Sequence, residues 1–516
     1  MEAWTPTPGQ TWPPKDHGPL WKPLTVWEAW WTGQPDALRA AMTQASQVPA
    51  NHPSQYRGGI VGAVARTFWG RPLNQADRPS RSDLHLPLAA DIARTSADLL
   101  YADAPTITSQ DKRSQVVIDA MVDTGLIETL TEGAELGAAL GGRYHRVTID
   151  PTVDDGRPFI TTHGPDEVIP TFTWGRLTAA TIVETITDDD TTQIVWRHME
   201  HHYLDPAGYG HIRHDLWKGT RDTLGTLVPL TDRPETAGLQ VNADAEWTGP
   251  LTPGLAIAYI PNVTPNRAWR KHPIGRNLGR PDIDGLTPLL DALDEAWSSW
   301  MRDLRLGKAR ILASRNILET TSPDGPLTFD LDREVFVPLD TLDRGDDLPV
   351  KEIQFSIRVA EHQATVTALT NTIINQAGYS LGSFQETDDT DITATEVKAR
   401  EKRTLTTRGR KVVRETRALR HLVVKALAMT GQGDVEVDVE FPNAVSENPL
   451  DQSAAVAQVK AAGVMSRAIA VRALHPDWDD AQVREELAAI AADKRAEASL
   501  DDPTTWHPTH DENEDE

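Results

Sequence analysis

The sequence predicts an α+β fold, and three observations carry that expectation. Residues 24–142 place apolar side chains at helical spacing. Residues 143–262 switch to short β-branched and aromatic runs separated by turn signals. Past residue 282 helical spacing returns as two helices flanking a small mixed segment, and then as one very long helix. Helices and strands thus fall in separate blocks, which is how an α+β chain reads.

The chain has 516 residues, enough for about three domains at about 150 residues each. With 39% hydrophobic and 25% charged residues it reads as globular. There is no cysteine. That excludes disulfides, cysteine-held zinc, iron–sulfur clusters and thiol catalysis. The opening MEAWTPTPGQTWPPKDHGPLW has neither a basic stretch nor an apolar core, so no signal peptide is expected. No run of about 18 apolar residues occurs, so no membrane partner is expected either. Lys and Arg number 51 against 76 Asp and Glu, a net charge of −25. A DNA-coating protein needs the opposite sign, so the charge taken alone argues against tight nucleic-acid binding, though not against a protein that must let DNA slide past.

Residues 1–23, rich in Pro, Thr and Trp, read as an arm that orders on docking. In 84–108, Pro87 suits a first helical turn, Leu88, Ile92 and Leu99 make the apolar stripe, and Ala104-Pro105 stops the helix. Between Arg143 and Asn262, runs such as RYHRVTIDP and QIVWRHMEHHYL alternate with turns such as DPAG, predicting an antiparallel β region. Thr287 and Pro288 form an N-cap pair. Leu289, Leu290, Leu293, Ala296, Trp297, Trp300, Met301 and Leu304 then keep a 3.6 period up to Gly307. A second helix is predicted from Ile357 to Ala377, ended by Gly378, and 378–392 reads as a polar loop. Thr393 and Glu396 form a capping box that opens a helix reaching Gly431, with Gly409 as a bend point. DVEVDVEF (434–441) alternates as an edge strand does. Residues 450–497 are helical, and the acidic end, 498–516, reads as disordered.

Four groups of residues could carry chemistry. Asp388, Asp389 and Asp391 cluster in the polar loop, either as a solvated helix start or as charges facing a ligand path. From Lys398 to Lys425, eleven Lys or Arg stand against Glu401 and Glu415, a net of +9. That face could meet nucleic acid, but pairing with acidic neighbouring subunits suits a −25 chain better, with Arg403, Arg408, Arg410 and Lys411 as the residues to test. His198, Glu200 and His202 share one face of a strand, a trio that could hold zinc but lacks the helical HExxH spacing; a plain polar strand face is the preferred reading. Trp297 and Trp300 lie on an apolar stripe with Leu293 and read as packing between subunits. GALGGR and RLGKAR complete no dinucleotide loop or P-loop, and no G-x-S-x-G occurs. No catalytic residue, metal or cofactor is therefore expected.

The ordered set of segments resembles the portal proteins of long-tailed (siphophage-type) bacteriophages, especially those infecting actinobacteria. LHLPLAADIARTSADLLYADAPTIT, GGRYHRVTIDP, GPDEVIPTFTWGRL, PDIDGLTPLLDALDEAWSSWMRDLRLGKARIL, TATEVKAREKRTL and AAGVMSRAIAVRALHPDWDDAQVREELAAIAADK carry the resemblance across residues 24–497. It implies a portal fold: a wing at 24–282 (helical 24–142, β-rich 143–262), a stem helix at 283–307, a small α/β clip at 308–353 and a second stem helix at 354–377. A tunnel loop at 378–392 would follow, then a spine helix and strand at 393–443 and a crown at 444–497. The loop here, GSFQETDDTDITATE, is longer and more acidic than the Ser-Gly motif of many relatives.

The resemblance also implies a twelve-subunit ring at one capsid vertex of the virion, assembled in the host cytoplasm. It would be the channel for packaging and ejecting double-stranded DNA without sequence specificity. Its partners would be the major capsid protein, the large terminase and head-completion or connector proteins. Asp388, Asp389 and Asp391 would then face DNA. Two rival readings stay open: another virion structural or adaptor protein, and a metal-dependent hydrolase built on the His198 cluster.

Overall fold

The computed structural model describes residues 4–45, 84–154, 156–189, 192–306, 310–313, 319–320, 327–328, 350–353, 358–384, 401–433, 435–442, 465–474, 478 and 480–500. They fall into two compact units. The first holds Met1–Glu386 and Arg403–Pro442; the second holds Thr387–Lys402 and Asn443–Glu516.

In the first unit, helices α1 (Gly18–Thr32), α2 (Pro35–Ala45), α3 (Leu88–Tyr101), α4 (Lys112–Asp123) and α5 (Leu126–Leu140) lead into sheet. Strand β1 (Thr106–Ser109) interrupts them. The helical reading of 24–142 missed this strand because TITS is too short to show a period. Its partner, β15 (Val437–Glu440), lies at the far end of the unit, with Thr106 opposite Glu440. α5 turns into β2 (Gly142–Ile149) at Gly141, whose φ is 96°; a Cβ there would lie 3.0 Å from the Arg280 backbone. Only glycine meets both conditions without strain.

Two antiparallel sheets follow. One has the order β10 (Ile257–Pro261), β2, β3 (Pro158–His163). The other runs β4 (Val168–Thr173), β5 (Arg176–Asp189), β6 (Ile194–Leu204), β7 (Tyr209–Gly219), β8 (Thr226–Val228), with β9 (Thr252–Pro253) also on β7. The β-rich reading of 143–262 corresponds to these strands.

The N-terminal arm lies on its own chain. Gly9 N donates to Gly225 O and Trp12 N to Asp222 O, each at 2.8 Å, while Leu224 N donates to Gln10 O. The Arg197 guanidinium sits 4.8 Å over the Trp12 ring, and Trp12 meets Trp21 edge to face. Helix α1 begins at Gly18, inside the stretch read as arm.

α6 (Thr287–Leu306) and α7 (Val359–Ala377) pack together. Gly378, at φ 101°, ends α7 as its sequence position requires. Between them, β11 (Arg310–Ala313) pairs with β14 (Val350–Ile353), and β12 (Glu319–Thr320) with β13 (Leu327–Thr328). Helix α8 (Lys402–Met429) continues as one helix through Gly409; at 1.5 Å per residue its 28 residues span about 42 Å. The capping box at Thr393 and Glu396, Gly307 and residues 501–516 of the acidic end lie outside the described residues; 498–500, expected to be disordered, are instead the last residues of the helix Asp480–Leu500. Among the described residues no helix is long and apolar enough to cross a membrane.

The core of the first unit has two main parts. Leu419, Leu422, Val423, Ala426 and Leu427 of α8 pack with Ile118, Met121, Leu130 and Val147. Leu290 and Leu293 of α6 pack with Ile373 and Ile374 of α7 and with Trp30, Leu88 and Ile92. In the second unit, α9 (Arg467–Leu474) and α10 (Asp480–Leu500) pack together, burying Ala470, Val471 and Val483.

Gly409 is exposed, and a Cβ added to it would meet nothing within 4 Å. Gly409→Ala is expected to stabilise the chain by about 0.5–1 kcal/mol, because glycine gives up more backbone freedom inside a helix than alanine. A rise in the urea unfolding midpoint would show it; a fall would mean that the helix needs its glycine.

Candidate functional site

The most concentrated chemistry lies along the buried side of α8. Residues 404, 411, 415, 418, 419, 422 and 426 recur at helical spacing and are buried, so a lysine and a glutamate occupy positions that would ordinarily be apolar. Each must be neutralised in place. The Lys411 ammonium lies 2.7 Å from Asp282 Oδ2 and also donates to Ser96 Oγ at 2.5 Å. Asp282 accepts further bonds from Tyr379 Oη (2.7 Å) and Asn262 Nδ2 (2.9 Å). Burial pulls Lys411 below the usual lysine value, with Asp282 opposing it. Burial, reinforced by Asp282, holds the Tyr379 hydroxyl protonated.

One turn on, Glu415 Oε2 takes bonds from Arg143 at 2.6 Å and Tyr101 Oη at 2.9 Å. Arg143 Nε donates to His145 Nε2 at 2.8 Å. Since arginine only donates, His145 must carry its hydrogen on Nδ1, which faces Thr162 Oγ1 at 3.0 Å. Burial, and next Arg143, keep His145 neutral. The other basic groups on this side of α8 bind carbonyls. Arg408 reaches Leu99 O and Pro442 O; Arg414 reaches Asn262 O. Lys425, lowered to about 8 by burial, caps Thr252 O, Pro253 O and Gly254 O.

These contacts correct part of the sequence reading. Lys411 and Arg408 were assigned to a subunit or DNA contact, but both are engaged within the chain, because their helical positions face the body. Arg403 and Arg410 are exposed and make no ion pair or hydrogen bond among the described residues. Leu293, read as packing between subunits, is 1% exposed inside its own chain's core. Trp297 and Trp300 are half-buried, meet edge to face at 5.2 Å, and Trp300 stacks on His362 of α7. Asp388, Asp389 and Asp391 lie outside the described residues. Asp282, Tyr379, Ser96 and Arg143 escaped the sequence reading. The available signal was a Lys and a Glu four apart on an otherwise apolar stripe, which demands buried partners.

The His198, Glu200, His202 face exists, and most of its polar atoms are engaged by protein groups, while His202 Nδ1 is buried without a hydrogen-bond partner. Glu200 is buried between Arg146 (2.6 Å) and His202 Nε2 (2.7 Å), and Arg146 with its neighbours keeps it ionised despite burial. His198 Nε2 and His214 Nδ1 are 3.0 Å apart, so at least one ring is neutral. Burial lowers His214 to about 4. On the opposite face, His201 bridges Thr181 and Asp215 and stacks against Trp4 of the arm.

The described residues therefore place an ion-paired helix through a mixed helix-and-sheet body. The sequence profile described as "Phage portal protein, SPP1 Gp6-like" matches residues 55–500. The chain belongs to that phage portal protein family, which is structural and not enzymatic. No curated protein matches it. Similar solved structures include a chain from the neck of a native GTA particle computed with C12 symmetry: 14% identity, 85% of this chain and 98% of that one covered, TM-score 0.39. Another comes from the neck of an empty GTA particle computed with C6 symmetry: 13% identity, 83% and 95% covered, TM-score 0.38.

Two outcomes are expected. Lys411→Met leaves Asp282 charged and buried without its cation, so unfolding free energy should fall by about 3–5 kcal/mol, while adding Asp282→Asn should recover much of the loss. Denaturant titration of both variants checks this; equal losses would mean that the pair is not coupled. The second concerns pH. His17 is buried with both ring nitrogens unpartnered and is lowered by burial to about 4, as is His214. In the unfolded chain both bind a proton near the ordinary histidine value of 6.5. Between those values the unfolded state holds more protons, so stability is full above about 6.5 and is lost as pH falls towards 4. His17→Phe should flatten the slope of unfolding free energy across that window.

Proposed function

We propose that the chain is the subunit of a twelve-membered portal ring at one capsid vertex of a long-tailed phage virion, of an actinobacterial host. Membership in the portal family over residues 55–500 is the observation that carries this reading. The ring is the channel for DNA packaging and ejection, assembled in the host cytoplasm alongside the major capsid protein. It docks the large terminase during packaging and head-completion or connector proteins afterwards. The terminase supplies the energy.

Within the chain, 24–282 forms the wing with 393–443 as its spine helix and strand, 283–307 and 354–377 the stem, 308–353 the clip, 378–392 the tunnel loop and 444–497 the crown. Asp388, Asp389 and Asp391 line the channel, where like charge repels phosphate and keeps contact with DNA brief. The −25 net charge supports a wall that does not adhere to its cargo. Arg403 and Arg410 serve contacts between subunits.

Solution mass and negative-stain images of the purified full chain test the assembly. Closed rings of about twelve copies are expected; a chain that remains a monomer at all concentrations, with and without capsid protein, would sink the reading. Replacing Asp388, Asp389 and Asp391 together by Asn should leave ring yield unchanged and alter the rate of DNA packaging. Unchanged packaging would remove the role given to the loop.

A further inference from the structure

The outer side of α8 is as regular as its buried side. Arg403, Arg410 and Arg417 stand seven residues apart on one stripe, all exposed, and none makes an ion pair or hydrogen bond among the described residues. Val413 lies between the last two and is 71% exposed. A bare valine flanked by unpaired arginines in the middle of a well-packed helix is an unfinished contact, an apolar centre with a charged rim. A phosphate-binding face has no use for the valine.

A face of complementary make-up occurs on α4. Val116 is 67% exposed, and Asp119 and Asp123 follow it at helical spacing, both exposed. Asp119 takes only a bond from Gln115 of its own helix, and Asp123 makes none among the described residues. Lys112 is the one cation on this stripe, at its far end. Along the axes, Arg410 and Arg417 are about 10 Å apart and Asp119 and Asp123 about 6 Å, a mismatch that long arginine side chains can span.

The overall charge points the same way. With the +9 of residues 398–425 set aside, the rest of the chain carries −25 − 9 = −34, so another copy is a strongly acidic partner for this stripe. Both helices contribute their inner faces to the same core cluster, which leaves both outer faces exposed at once among the described residues. The two faces differ, so joining one to the other makes a head-to-tail contact, the kind that closes into a ring.

We infer that the Arg403, Arg410, Val413, Arg417 stripe of α8 docks on the Val116, Asp119, Asp123 face of α4 in a second copy of this chain. The inference rests on the ring reading above and specifies one of its contacts. Each copy donates the basic stripe to one neighbour and offers the acidic face to the other.

Charge exchange in the full-length chain tests it. Arg410→Glu with Arg417→Glu, and separately Asp119→Arg with Asp123→Arg, should each lower the ring fraction about tenfold by placing like charges opposite one another. Far-UV circular dichroism of each variant should match that of the wild type, since all four side chains are exposed and their loss leaves the subunit folded. Combining the four substitutions should restore rings.

The absence of cysteine allows a second measurement. Val116→Cys with Val413→Cys, treated with a short bis-maleimide, should give a ladder of multimers, whereas either single variant should stay uncrosslinked. Rings at wild-type yield in Arg410→Glu/Arg417→Glu would overturn the inference. So would a folded four-fold variant that fails to reassemble, or crosslinking of Val413→Cys alone. Intact rings with lost DNA retention would assign the stripe to DNA and overturn it as well. Wild-type chain that forms no ring defeats the ring reading itself, and this contact with it; rings insensitive to the exchange defeat the contact alone.

Discussion

The first unit is organised around a helix that carries charge into its own core. Lys411 and Glu415 sit on the buried stripe of α8, four residues apart, and neither can remain there unpaired. Their partners come from distant parts of the chain: Asp282 after the second sheet, Tyr379 after α7, Ser96 and Tyr101 on α3, and Arg143 at the start of β2. Every element that supplies a partner is thereby set in register against α8. An apolar stripe would have allowed several rotations and offsets of comparable energy; two opposite charges with fixed partners allow very few.

The same logic operates in the larger sheet. β6 presents Arg197, Met199 and His201 to one side and His198, Glu200 and His202 to the other. The first face is closed by the N-terminal arm through Trp4 and Trp12, the second by Arg146 from the neighbouring sheet. Histidines are numerous here because an imidazole can both donate and accept, so a polar sheet buried on two sides can meet its hydrogen bonds without many formal charges.

Much of this was legible in the residues. α6, α7 and α8 follow from apolar spacing, and the glycine that ends α7 follows from its place after the last apolar residue. β1 was not legible, since four residues with no period become a strand only when β15, more than three hundred positions away, lies beside them. The arm was read as waiting for a partner because Pro and Trp give it no period, yet its backbone binds the β7–β8 hairpin of its own chain. The basic run on α8 was read as a single face. A helix turns 100° per residue, so Arg410 and Lys411, adjacent in sequence, diverge, one to solvent and one to Asp282. Charge counting saw the total but not the division.

The way α8 is seated has a mechanical consequence. Sliding it along its axis by one turn, about 5.4 Å, would carry Lys411 away from Asp282 and Glu415 away from Arg143, stranding four ionised groups in the interior. Apolar ridges can ratchet past one another at small cost; this helix cannot. It is keyed like a bolt with two lugs, so a push on either end of the described helix is passed to the other end without being absorbed between them.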